Sequence, residues 1–344
     1  MRALVTGTAT LALLLGGLAQ SSVAQASVAQ SSVTEAAVAP VELGSAPLAS
    51  TGYILASGPD GLVSREAHAL ATLGVASVSL SAHGNTVGSI DGRLAATAHA
   101  HGLRAELLLS NYSNRLGDFD PRAAARLLRR PANIQKVAGR LAADVATQGW
   151  DGIQVDLESL TTKDADGLLA LVSALQSTMA PEKTVSIAVM ASDTASAYAA
   201  RGYRLPELGA VVDTLALMTY DQHGPWSGPG PIGALAWQRR SIAVVTSVVP
   251  AAKVDLGVAG YGYTWPRGRD GRTVTDAQAR RFVARDGARA RWRNGPGEWT
   301  ARLSDGTRMW WSDGRSIALR QQLATELGLH GIALWRLGSA DPLA

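Results

Sequence analysis

Eight short apolar runs rich in β-branched residues recur along the chain, separated by stretches of helical periodicity. They are Gly52–Leu55, Ala76–Leu80, Arg104–Leu109, Gly152–Leu157, Val185–Met190, Thr214–Met218, Val254–Ala259 and Gly331–Leu334. Runs this short and this apolar read as strands covered on both faces. Between them, Ile134, Val137, Leu141 and Val145 form one helical stripe, and Leu168, Leu171, Val172, Leu175 and Met179 form another. Strand and helix in alternation demand a parallel sheet, and eight such units predict an α/β chain closed into a (β/α)8 TIM barrel. The competing open, doubly wound sheet wants a Gly-rich phosphate loop after its first strand. TGYILASGPDG at 51–61 is not that loop, and no Walker motif occurs.

Polar clusters follow the runs where a barrel enzyme keeps its chemistry, at the carboxyl ends of strands. Examples are Ser81–Gly84, Ser110–Tyr112, Asp156–Ser159, Tyr220–Gly224 and Tyr261–Trp265. The rhythm breaks between Gly262 and Arg315, a Gly/Arg/Trp-rich stretch. A helix is expected there over Asp276–Asp286, with hairpin-like pieces at Arg289–Trp292 and Thr300–Trp311. It is expected to be a small α+β insertion, residues 265–313, between the seventh strand and its helix. Its Trp292, Trp299, Trp310 and Trp311 either stack on a planar ligand or fill the insertion's own core, and for most of them the core is favoured.

The fourth run raises the chemical question. GWDGIQVDLES at 149–159 carries three carboxylates within eight residues. Residues two apart on a strand share a face, so Gln154, Asp156 and Glu158 point to the barrel axis and Ile153, Val155 and Leu157 to the helices. Two carboxyls so close in a dry site cannot both ionise, which leaves one as a proton donor at neutral pH and the other as an anion. Glycosidic cleavage uses such a pair. Taken alone the pattern also suits a salt-bridged strand end or a metal-dependent barrel hydrolase. The six His supply no convincing ligand set, because His99 and His101 lie in a helical stretch and are expected to be exposed. No metal and no cofactor is expected.

With its neighbours, the run becomes specific. Asp-Gly-x-x-x-Asp-x-Glu at 151–158 resembles the fourth-strand signature of glycoside hydrolase family 18, the chitinase family. LALMTYDQHG at 215–224 resembles that family's sixth strand, VDLGVAGYGYTW at 254–265 its seventh, and GIALWRLGSADP at 331–342 its eighth. The likeness spans roughly 50–344 and is greatest to the compact bacterial branch with spore-cortex and cell-wall glucosaminidases. It implies a glycosidase acting on β-1,4 bonds next to N-acetylglucosamine, in chitin, peptidoglycan or a related glycan. The mechanism implied is retaining and substrate-assisted, with Glu158 as general acid and base. Asp156 would hold the acetamido N–H, Tyr220 would donate to the acetamido oxygen, and Asp221 would shape that subsite. Trp335 would lie beneath the sugar, with Tyr53, Met218 and Tyr261 as lining residues. The family pattern usually has Asp where this chain has Gln154. An amide cannot take the proton such an Asp shares, but it can donate to Asp156, so a changed pH profile is expected rather than a dead enzyme. A non-catalytic carbohydrate-binding relative is the alternative, and the presence of Glu158 speaks against it.

The flanking sequence suggests a compartment. Residues 1–26 have a basic start, an apolar Leu11–Leu18 stretch and Ala24-Gln25-Ala26, the pattern of a cleaved secretory signal. Residues 27–49 are Ser/Ala/Val/Gln-rich, with SVAQ at 22–25 and again at 27–30, and are expected to be a flexible linker. The chain has no Cys, so no disulfide framework or lipid-anchoring thiol is available. A secreted or wall-associated monomer follows, with no membrane contact after cleavage. The net charge is 32 − 28 = +4, and residues 265–313 alone hold 11 Arg against six Asp and Glu. That excess suits an anionic wall polymer; no nucleic-acid motif accompanies it.

Overall fold

The computed structural model describes residues 48–343. The expected signal segment and nearly all of the expected linker lie outside them. In chain order the first elements are β1 (Ala49–Leu55), α1 (Asp60–Glu66), β2 (Thr72–Ser79), α2 (Arg93–Ala100) and β3 (Arg104–Ser110). A hairpin of β4 (Tyr112–Ser113) and β5 (Asp118–Phe119) leads to α3 (Pro121–Leu128), α4 (Pro131–Gln148) and β6 (Gly152–Asp156). Next come α5 (Ala165–Thr178), β7 (Thr184–Met190), α6 (Ala195–Ala200), α7 (Leu205–Val211), β8 (Thr214–Met218), α8 (Leu235–Thr246) and β9 (Val254–Ala259). Then follow β10 (Gly262–Trp265), β11 (Arg272–Val274), α9 (Asp276–Asp286), β12 (Arg291–Arg293), β13 (Glu298–Arg302) and β14 (Arg308–Trp311). The chain finishes with α10 (Gly314–Glu326) and β15 (Gly331–Trp335).

Eight strands close into an all-parallel barrel in the order β1-β15-β9-β8-β7-β6-β3-β2. Each coincides with one of the eight apolar runs, so the (β/α)8 expectation holds. Most boundaries agree within one residue, and two strands begin well before their runs. β1 begins at Ala49, inside the expected linker, because its first residues pair with β15 through Ala49 and Gly331. β2 begins four residues before the expected Ala76, at Thr72. Gly74 concealed its start. A Cβ there would lie 2.4 Å from the ring of Tyr53, so the strand gives up a side chain to let that ring in.

The helices follow from local chemistry. In α4, Pro131 sits in the first turn and Gly149 ends the helix with φ +77°, a left-handed cap that other residues resist. Its stripe of Ile134, Val137, Leu141 and Val145 is buried against the sheet in the main core, together with Ile153, Val155 and Leu157 of the β6 segment. In α3 the Asp120 carboxylate accepts from the backbone N–H of Arg122 and Ala123.

The insertion leaves the barrel after β9 and forms a five-stranded antiparallel sheet, β11-β10-β14-β13-β12. Helix α9 spans the expected residues, capped by a Thr275–Gln278 box and by Gly287. It packs on one sheet face through Val274, Ala279, Val283, Ala301, Met309 and Trp311. The expected piece at Thr300–Trp311 is two strands, β13 and β14, joined by a turn.

Among the described residues, no helix is long and apolar enough to cross a membrane.

Candidate active site

Barrel interiors are ordinarily filled by bulky branched side chains. Here Ala188 of β7, Ala216 of β8, Gly257 of β9 and Ala333 of β15 leave a bowl open towards the carboxyl ends of the strands. Tyr53, Gln154, Asp156, Met218, Tyr220 and Trp335 complete its wall. Six of the nine residues singled out from sequence thus line one cavity. Glu158 stands half-buried where β6 ends, and Asp221 and Tyr261 stand beside Tyr220. The nine are brought together.

The alternation predicted for β6 holds for Gln154 and Asp156 against Ile153, Val155 and Leu157, while Glu158 lies two residues beyond the end of the strand. Burial pushes the Asp156 carboxyl above the usual carboxylate range. Burial also raises Glu158, and the charges of Asp156, Asp221 and Asp118 raise it further. Each group therefore holds its proton to higher pH than it would in water. Oδ1 of Asp156 is buried without a hydrogen-bond partner among the described residues.

Gln154 does not do what the sequence suggested. Its amide makes no bond to Asp156. Oε1 accepts the Tyr53 hydroxyl at 2.8 Å and Nε2 donates to Ser186 Oγ at 3.2 Å. Ser186 in turn donates to Glu106 Oε2 at 2.8 Å. Glu106 accepts from Ser186 and Thr184, so the amide is held by a chain of oriented bonds along the axis. A Gln on a strand does not announce which neighbours will reach it, because Tyr53 is 101 residues away.

Backbone geometry sets the two acids at the rim. Ser159 and Asp221 both take φ +59°, a left-handed conformation that side-chain-bearing residues avoid unless their surroundings enforce it. The Asp221 carboxylate accepts from the hydroxyls of Tyr261 at 2.5 Å and Tyr263 at 2.9 Å, which offsets part of the rise that its burial produces. Glu158 is braced by Asn111. Its N–H donates to Asn111 Oδ1 at 2.9 Å, and its carbonyl accepts from Asn111 Nδ2 at 3.0 Å. Asn111 also donates to the carbonyl of Asp120, tying the β4–β5 hairpin to the same point.

Two further residues had legible signals. Tyr263 alternates with Tyr261, and Asn111 lay within a polar cluster at a strand end. Trp310 was grouped with the other insertion tryptophans. In the fold it leaves them and packs against the cluster of Ile232, Ala259, Tyr261 and Tyr263, against which Tyr220 and Trp335 also pack. Trp299 and Trp311 stack at 12° inside the insertion, and Trp292 lies edge-on to Trp299 under the Arg315 guanidinium. Packing within the insertion accounts for those three. Trp226 is strongly exposed, 67%, and leans on Tyr263.

Asp151, His99 and His101, also raised by the sequence, lie towards the amino-terminal side of the strands. Asp151 Oδ2 accepts from His99 at 2.7 Å and from Ala105 N–H at 2.9 Å, so the first Asp of the signature buttresses the start of β6. His101 contacts Ser64. Among the described residues no three His, Cys, Asp or Glu side chains are grouped to hold a metal ion.

A parallel eight-stranded barrel whose open bowl carries adjoining raised carboxyls among tyrosines and a tryptophan is a glycosidase scaffold. The model of glycosyl hydrolases family 18 matches residues 111–340, and the chain belongs to that family. The cortical fragment-lytic enzyme of Bacillus subtilis is 24% identical over 251 residues, 69% of this chain and 57% of that protein. A sporulation-specific glycosylase candidate of the same organism, YdhD, is 27% identical over 230 residues, 64% of this chain and 55% of that protein. The chain thus spans little more than half the length of either. A chitinase from Chromobacterium violaceum superposes with TM-score 0.78 at 25% identity, covering 86% of this chain and 96% of that one. The Bacillus cereus spore cortex-lytic enzyme SleL shares the fold, with TM-score 0.76 at 20% identity over 86% of this chain and 72% of its own.

Proposed function

We propose that the protein is a secreted or wall-associated hydrolase of β-1,4 linkages next to N-acetylglucosamine, working by a retaining, substrate-assisted route. Glu158 gives its proton to the glycosidic oxygen as the C1–O bond breaks. The acetamido carbonyl oxygen of the same sugar closes on C1 and forms an oxazolinium ring. The Glu158 carboxylate then takes a proton from water, whose oxygen attacks C1, opens the ring and restores the original configuration. Asp156 accepts the acetamido N–H and offsets the positive charge. Tyr220 donates to the acetamido oxygen, while Asp221, Tyr261 and Met218 bound that group. Trp335 lies under the sugar, and Tyr53 and Gln154 form the floor.

The observation that carries this reading is the pair of raised carboxyls at the end of β6. A general acid must still hold its proton near neutral pH, and Glu158 is surrounded by what achieves that. The unpartnered Oδ1 of Asp156 supports the second role, since a buried acceptor with no donor is unfavourable until a substrate N–H reaches it. The names of the relatives, which speak of spore cortex and chitin, support an N-acetylglucosamine glycan outside the cell.

The test is mass spectrometry of products from purified cell wall, chitin and glycoprotein, with wild type and Glu158→Gln side by side. We expect new reducing ends from wild type alone. Binding without product would make the protein a carbohydrate-binding relative, and an unimpaired variant would remove Glu158 from its role.

A further inference from the structure

The face of the insertion sheet opposite α9 looks into the cleft. Tyr263 and Trp310 are register partners on β10 and β14, and Trp310, like Tyr220 and Trp335 of the bowl, packs against the cluster that contains Tyr263 and Tyr261. Paired residues in an antiparallel sheet share a face, and so do residues two apart on one strand. The register therefore extends this aromatic face into a second row: Trp265 pairs with Arg308, and Arg308 with Arg302 on β13. Arg291 of β12 belongs to the same face through its pairing with Thr300, the partner of Trp310. Arg308 thus sits two residues along the strand from Trp310, about 7 Å.

All three arginines are exposed, and among the described residues none forms an ion pair. Arg302 and Arg308 are directly opposite each other, an arrangement that is unfavourable for like charges unless an anion lies between them. Nearby acids are otherwise engaged. Asp305 in the β13–β14 turn accepts the Thr307 N–H, and Glu298 is bound by Arg320 and two backbone amides.

We propose that Arg302 and Arg308, flanked by Arg291, extend the sugar cleft as a cationic subsite for carboxylates carried by the glycan. The preferred substrate is then an N-acetylglucosamine polymer bearing carboxylate groups, as ether-linked or peptide-linked substituents, rather than neutral chitin. Guanidinium suits this role, because its planar fork matches a carboxylate with two parallel hydrogen bonds. The inference rests on the hydrolase reading for its substrate and on sheet register for its location.

The experiment compares a neutral β-1,4 N-acetylglucosamine oligomer with one of equal length carrying a lactyl carboxylate on alternate sugars, at low and high salt. Wild type and the double variant Arg302→Gln/Arg308→Gln are assayed on both. We expect wild type to favour the carboxylated oligomer by about tenfold in kcat/KM at low salt, with the advantage shrinking as salt rises. The double variant should lose that advantage while its rate on the neutral oligomer stays the same. Equal rates on both oligomers in wild type, or an equal loss on both in the variant, would overturn the proposal. Calorimetric binding of the two oligomers, with and without the arginines in a Glu158→Gln background, separates the two readings. A binding preference without hydrolysis in wild type would reject the hydrolase and keep the subsite; hydrolysis without a preference would do the reverse. An oligomer with its carboxyls amidated should bind like the neutral one.

Discussion

The Tyr53 hydroxyl donates to Gln154 Oε1 over 2.8 Å, and this contact decides which way the amide faces. Nε2 must then point to Ser186, whose own proton is directed to Glu106, so neither polar atom of Gln154 serves Asp156. Gln154→Asp would place another carboxyl in the dry axis beside Asp156. Its charge would oppose ionisation of Asp156 and Glu158, and the limbs of the pH–rate curve should move to higher pH by about one unit. An unaltered curve would mean that position 154 is electrostatically silent.

Glu158 carries a stability signature as well as a chemical one. Its folded-state pKa is raised by burial and then by Asp156, Asp221 and Asp118, so the folded chain retains a proton that the unfolded chain has lost. Stability therefore falls as pH rises from the ordinary carboxylate range through the folded-state value. Glu158→Gln abolishes that loss. Its melting temperature should exceed that of wild type by at least about 2 °C near pH 8, with no difference near pH 4. A gap of the same size at both pH values would contradict the raised pKa.

Asn111 is a positioning residue that holds Glu158 by both backbone groups while keeping clear of the bowl. Asn111→Ala should lower kcat by about tenfold or more with KM little changed, because the acid is misplaced while the sugar site is intact. A variant that lost affinity instead would assign Asn111 to substrate binding.

The insertion is tied to the barrel by a buried pair. Arg320 of α10 donates to Glu298 of β13 and to the carbonyls of Gly233, Pro296, Gly297 and Ser316. Glu298 accepts the N–H of Ile232 and Gly233, in the loop that runs on from Asp221. Arg320→Met removes the only charged partner of the buried Glu298 carboxylate among the described residues, and with it a donor to the carbonyls of Gly233, Pro296, Gly297 and Ser316. A loss of about 3–5 kcal/mol is expected in urea unfolding, read as a lower midpoint at unchanged slope. A loss below about 1 kcal/mol would mean that water replaces the guanidinium.

Much of the site could be read before folding because its parts obey local rules. Alternation along β6 separated Gln154 and Asp156 from Ile153 and Val155, a polar strand end marked Tyr220 and Asp221, and the family resemblance singled out Trp335. Gln154's partners escaped because they come from β1 and β7, which are distant in sequence. The start of β2 escaped because Gly74, placed for the Tyr53 ring, broke the apolar pattern. The insertion tryptophans were indistinguishable in composition, and only strand register turned Trp310 to the cleft and the other three away from it.

The sequence by itself determined the barrel, the inward face of Gln154 and Asp156 on β6 and the family, since periodicity and short motifs depend on neighbours within a few residues. Tertiary structure alone decided the direction of the Gln154 amide, the bracing of Glu158 by Asn111 and the alignment of Arg302 with Arg308. Those depend on hydrogen-bond geometry and register between segments that meet only after the barrel has closed.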